Sequence, residues 1–164
     1  MGRKYDNDVL KYLPQWIRCG KTQLFYTSNQ WEQVRAEAFD LFSGACVRCK
    51  SYGVFTPAVI GHHVNRLKKH PEYALTLWVG ATNVQLQAAL LSNRIDSNVI
   101  KYTSGGKLSE VICIDSRKHE IFIDLKTKKQ LQILPLCREC HKVVHYEERN
   151  KLGLESNKKF PERW

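Results

Sequence analysis

Cys46 and Cys49 form one Cys-x-x-Cys pair, and Cys137 and Cys140 form a second that runs straight into His141 and His145. Adjacent His62 and His63 lie between the pairs. Cys-x-x-Cys lets two thiolates from one tight turn meet the same ion, and two such turns complete a tetrahedral, all-cysteine zinc site that clamps distant chain segments. A closed four-thiolate shell leaves no open position for substrate, so that site is expected to be structural. Imidazoles combined with water suit a divalent ion that does chemistry. The histidines are therefore the expected functional group.

Other uses of the thiols fit less well. A redox pair predicts one Cys-x-x-Cys inside a thioredoxin-like strand and helix, whereas two motifs placed as here favour zinc. Disulfides find no support either: Met1 to Lys11 is charged and polar, with nothing resembling a signal peptide, so a reducing cytoplasmic setting is expected. Cys19 and Cys113 fall outside the paired pattern and read as small, partly buried hydrophobes.

The elements that must position these groups can be read in outline. A chain of 164 residues with 43% hydrophobic content fits one domain with a modest core that zinc can reinforce. No apolar run approaches a membrane span. A formal charge of +10 favours a polyanionic partner such as nucleic acid over a neutral metabolite. Residues 1–25 mix Arg3, Lys4, Lys11, Arg18 and Lys21 with Tyr5, Tyr12 and Trp16, and read either as a nucleic-acid-binding arm or as an amphipathic cover for the core. Thr27 or Ser28 can cap a following helix, with Gln30 completing a capping box from Thr27; Trp31, Val34, Ala38, Leu41 and Phe42 recur near helical spacing until Gly44. Thr56 to Val64 reads as a strand. Neighbouring strand side chains face opposite ways, so His62 and His63 serve one site only where the strand twists or ends, as Gly61 would permit. His141 and His145, at i and i+4, share one face of a helix that begins at the second cysteine pair. Three ligands can then converge.

Four segments in order resemble the HNH endonucleases with a ββα-metal finger, specifically the small type encoded by bacteriophages and prophages. They are residues 25–31 (Phe-Tyr-Thr-Ser-Asn-Gln-Trp), 46–49, Gly61-His62-His63-Val64 followed by residues 70–75, and residues 134–141 (Leu-Pro-Leu-Cys-Arg-Glu-Cys-His). The resemblance implies His62 as the first-strand metal ligand, His63 as the general base, and His141 and His145 as helix ligands, the three-histidine arrangement of the nuclease colicins. It also implies a catalytic divalent ion (Mg2+, Mn2+, Ni2+ or Zn2+) beside the structural Zn2+, double-stranded DNA as substrate, and a bacterial host. Arg66, Lys68, Arg138 and Lys142 are assigned as DNA contacts.

Two features depart from that family. Gln132 stands five residues before Cys137, where the family carries the Asn that pins the loop bearing the general base. Glutamine offers the same amide on a longer stem and is expected to hold the loop less rigidly; Asn65 reads as a solvated turn residue. An insert from about Leu77 to Lys129 replaces a short connector. Within it Leu86 to Leu91 suggests a helical turn or two, and Leu108 to Asp115 with Glu120 to Leu125 suggests a β-hairpin turning at residues 116–118, most simply an extension of the sheet, with a grip on DNA or a partner as the other uses. Residues 151–164 read as a basic tail.

The expectation is an α+β, zinc-stapled domain over residues 26–150 with a ββα-metal finger and a hairpin-containing insert. It would cut or nick double-stranded DNA, either with little intrinsic sequence specificity or with specificity borrowed from a partner such as a phage packaging protein. The alternative is a zinc-dependent nucleic-acid-binding protein whose nuclease centre has decayed.

Overall fold

A computed structural model describes residues 8–115 and 118–151. Residues 1–7, which carry Arg3, Lys4 and Tyr5, and the basic tail beyond Lys151 lie outside the described residues, as do two residues at the expected hairpin tip. Among the described residues the fold is α+β, with six α-helices and two antiparallel sheets. No described helix is long and apolar enough to cross a membrane.

The helical layer comes first. Helix α1 (Val9–Arg18) buries Val9, Leu13 and Trp16, the stripe expected of one helical face. Together with Phe25 of α2 (Gln23–Tyr26), they pack against Trp31, Val34 and Ala38 of α3 (Asn29–Leu41). Residues 9–25 are thus a core-covering element, while Lys11, Arg18 and Lys21 stay exposed. Ser28 alone caps α3, accepting a hydrogen bond from the Trp31 amide at 3.2 Å, a contact worth about 1 kcal/mol. Thr27 makes no capping box, because its hydroxyl bonds back to the Gln23 carbonyl. Ser43 and Gly44 then turn the chain with positive φ, and α4 (Val47–Ser51) follows directly from Cys46.

Strand β1 (Ile60–His63) is shorter than its sequence suggests. Residues 56–58 pair instead with the entry to α4, through Cys46 N to Thr56 O at 2.7 Å and Ala58 N to Gly44 O at 2.8 Å. β1 lies antiparallel to β7 (Ile133–Leu136), with His62 opposite Leu134 and His63 opposite Ile133. Helix α6 (Arg138–Lys151) leaves β7 at the second cysteine pair. Gly61 has no positive φ and does not distort the strand. A Cβ there would sit 3.2 Å from Trp31 and Arg35, so glycine is needed for the close approach of α3.

The insert is more ordered than a hairpin. β2 (Trp78–Gly80), β3 (Val99–Ser104), β4 (Lys107–Cys113), β5 (Phe122–Asp124) and β6 (Lys129–Leu131) form a five-stranded antiparallel sheet in the order β2-β6-β5-β4-β3. The expected hairpin is present as β4 and β5, paired through Ile112 with Ile123 and Cys113 with Phe122. It belongs to a separate sheet and does not extend the β1–β7 pair. α5 (Asn83–Ser92) covers this sheet, starting from a capping box between Thr82 and Gln85. The two sheets meet at Gln132, between β6 and β7: its N–H donates to Leu77 O at 2.8 Å and its carbonyl accepts from Val64 N at 2.9 Å.

Candidate metal centres

Cys46, Cys49, Cys137 and Cys140 converge, each offering a sulfur within 4.8 Å of the others. Cys49 Sγ lies 3.8 Å from Cys137 Sγ and 3.5 Å from Cys140 Sγ. Zn–S bonds near 2.3 Å at tetrahedral angles require sulfurs roughly 3.8 Å apart, so the donor set fits a structural metal such as zinc. Local structure prepares each turn. Cys46 caps α4, its sulfur accepting from Cys49 N at 3.4 Å, and Cys137 O accepts the His141 amide at 3.0 Å as α6 begins. The Cys46 sulfur beside it, and burial, push the Cys140 thiol well above its usual range. Clustered thiolates repel one another, and a cation among them offsets that repulsion. Arg48 Nη1 donates to Cys140 Sγ at 3.5 Å, placing further positive charge on the cluster.

The second cluster joins His62 of β1 to His141 and His145 of α6. One ring nitrogen from each lies within 4.8 Å of the others, and all three residues are buried. Strand alternation sends His62 toward α6, and the i, i+4 spacing stacks His141 and His145 on the facing side of that helix. His145 Nε2 stands 2.9 Å from His141 Nε2. Two ring nitrogens so close need a proton or a cation between them. Burial, reinforced by the Arg66 charge, pushes all three well below the usual histidine range: His62 and His141 to about 3 and His145 to about 2. Neutral imidazoles are the metal-binding form. The donor set fits a divalent ion with ligand positions left open.

His63 is not part of this group. It faces the other side of β1, its ring stacked on Trp31 at 4.7 Å and flanked by Phe25 at 5.8 Å. Burial pushes it down to about 4, against the opposing effect of the Ala74 carbonyl. Its Nε2 lies 2.9 Å from that carbonyl. A carbonyl only accepts, so Nε2 carries the ring proton and Nδ1 the lone pair. A surface cleft lined by Tyr26, Trp31, Arg35 and Gly61 opens on this face.

Gln132 and Asn65 differ from their sequence reading. Gln132 is fully buried, and its amide makes three hydrogen bonds to Asn65. The longer stem is thus packed and triply tied, and Asn65 is half-buried, its own side chain one of the partners. Of the assigned cations, Arg66 is half-buried and close enough to depress the histidines, whereas Lys68, Arg138 and Lys142 are exposed. Lys142 Nζ lies 3.6 Å from Glu139 Oε1.

One acidic residue was missed. Glu120, from the segment before β5, places Oε2 3.2 Å from His62 Nε2. Burial raises its carboxyl above the usual range, opposed by Lys118, whose Nζ is 3.7 Å from Oε1. In the sequence it is one of several charged residues in the insert, 58 positions from His62, and no local pattern singles it out.

No family model matches the chain, and no solved structure matches it. Over 104 residues, 63% of the chain, it is 27% identical to serum paraoxonase/arylesterase 2 of Bos taurus. The match spans 27% of that protein's length.

Proposed function

We propose that the protein is a metal-dependent endonuclease of the HNH type, in which β1, β7 and the start of α6 act as a ββα-metal finger and hydrolyse phosphodiester bonds in double-stranded DNA. The observation that carries this reading is the convergence of His62, His141 and His145 beside, and separate from, a four-cysteine staple that ties α4 to the start of α6. A structural zinc module needs only the cysteines; a buried trio of neutral imidazoles beside them is explained by a second ion.

His62, His141 and His145 would hold a divalent ion, which when bound supplies charge stabilisation to the phosphate and to the departing 3′ oxygen. The rest falls to the chain. His63, kept neutral by burial and fixed in one tautomer by the Ala74 carbonyl, offers Nδ1 as the atom that accepts a proton from the attacking water. Gln132 fixes the backbone at Asn65, two residues beyond His63. Arg66 brings a cation to the histidine cluster for the scissile phosphate, and the exposed Lys68, Arg138 and Lys142 would meet neighbouring phosphates. A partner such as a phage packaging protein would supply sequence choice.

A second reading, a nucleic-acid-binding protein with a decayed centre, draws support from one observation: His63 stands on the opposite face of β1 from the trio, under Trp31. Supercoiled plasmid distinguishes the two. Zinc-stapled wild type should nick or linearise it with at least one of Mg2+, Mn2+, Ni2+ or added Zn2+, and His141→Ala should lose at least about 100-fold of the rate. DNA binding without cleavage under every ion would favour the second reading.

A further inference from the structure

We infer that Glu120 is a positioning residue of the histidine site, supplied by the insert to fix the tautomer of His62. The inference rests on reading His62, His141 and His145 as an ion site. Glu120 Oε2 lies 3.2 Å from His62 Nε2, and the two side chains are only 16% and 4% exposed. An ionised carboxylate only accepts, so the ring proton sits on Nε2 and Nδ1 is left as the nitrogen that can take an ion. Glu120 does not belong to the group whose donor atoms all lie within 4.8 Å. It therefore stands behind His62 and does not complete the ligand set, the arrangement in which a carboxylate orients a ligating imidazole and raises its basicity.

The placement of Glu120 is built. Arg48 Nε donates to Lys118 O at 2.5 Å, and Ser51 Oγ meets His119 Nδ1 at 2.9 Å. The His119 ring stacks on Tyr52 with centroids 4.3 Å apart, and its backbone takes a positive φ of 53°. Residues of α4 and its end thus anchor Lys118 and His119, the two residues that lead into Glu120. Arg48 also donates to Cys140 Sγ. The cysteine cluster and the histidine cluster are joined through a part of the chain that compact members of the proposed family replace with a short connector.

The test uses full-length protein carrying zinc at the cysteines, titrated with Co2+, with the imidazole nitrogens of His62 read by long-range 1H–15N correlation before Co2+ is added. Wild type should bind one Co2+ beyond the structural zinc and show His62 protonated at Nε2. Glu120→Ala should weaken Co2+ binding by about 10–100-fold and mix the tautomers. Glu120→Gln, whose amide oxygen still accepts, should keep the tautomer and lose affinity through the missing charge. Unchanged affinity and tautomer in Glu120→Ala would overturn the role of Glu120 while leaving the ion site in place. If wild type takes up no second ion, the ion-site reading fails and this inference with it.

Discussion

Gln132 and Asn65 exchange three hydrogen bonds where the two sheets meet: Gln132 Oε1 accepts from Asn65 N at 3.0 Å and from Asn65 Nδ2 at 2.9 Å, and Gln132 Nε2 donates to Asn65 O at 3.0 Å. Each polar atom of a fully buried amide is satisfied by one residue, and that residue follows His63 by two positions.

Gln132→Ala should therefore destabilise the protein by about 2–4 kcal/mol, since it removes the partners of the half-buried Asn65 backbone and opens a cavity at a fully buried position. Cleavage should fall by about 100-fold, the cost of a misplacement near 1 Å. Gln132→Asn should lower the rate as well, because the shorter stem cannot reach all three partners. Denaturant unfolding and plasmid cleavage, measured on the same preparations, check both effects.

Cys46→Ser should abolish tight zinc binding and lower the thermal transition of the whole domain. The thiolates join α4 to the start of α6, and zinc affinity acts as folding free energy. The measurements are metal content after dialysis and the unfolding temperature. Loss of zinc with an unchanged transition would remove the structural role.

Mutations at the histidines should separate two functions. His141→Ala should reduce occupancy of the second ion and cleavage together. His63→Ala should leave occupancy close to wild type and lower the rate by about 100–10,000-fold, the range for loss of a general base. Isothermal titration with Ni2+ beside single-turnover cleavage reads each. Equal loss of occupancy in both variants would make His63 a ligand and withdraw its assignment as base.

Cys113, which is in neither ligand set, supplies a pH prediction. Burial pushes its thiol from the usual 9.0 to about 11. Between those values the unfolded chain has released the proton and the native protein retains it, so the native state binds more protons and stability falls as pH rises. Cys113→Ala should flatten the decline between pH 9 and 11 relative to wild type. The same burial should leave Cys113 unreactive to iodoacetamide at pH 8 while exposed Cys19 is alkylated.

The two clusters were legible in the sequence because their spacing is short-range: Cys-x-x-Cys fixes a turn, and His141 with His145 fixes a helix face. The helical stripe of α3 and the β4–β5 hairpin were legible for the same reason. What the sequence hid depends on contacts between distant segments. The Gln132 side chain reads as a loose substitute until the partner at Asn65, 67 residues away, is visible. Glu120 has no signature at all until β5 brings it to His62. The five-stranded sheet leaves little trace in the sequence because β2 and β6 are three residues each, too short for a period-2 pattern. Gly61 suggested a strand irregularity, yet it marks the close packing of Trp31, which no local pattern distinguishes.

The central claim, that the three histidines hold an ion that the chain uses to cut DNA, is tested most directly by titrating Mn2+ or Ni2+ into protein carrying one zinc per chain and following plasmid cleavage and metal content in the same samples. The account predicts no cleavage at one zinc per chain and a rate that rises in step with occupancy of a second site, lost in His62→Ala. Full cleavage with the single zinc alone, or a filled second site with no cleavage of double-stranded DNA, would contradict it.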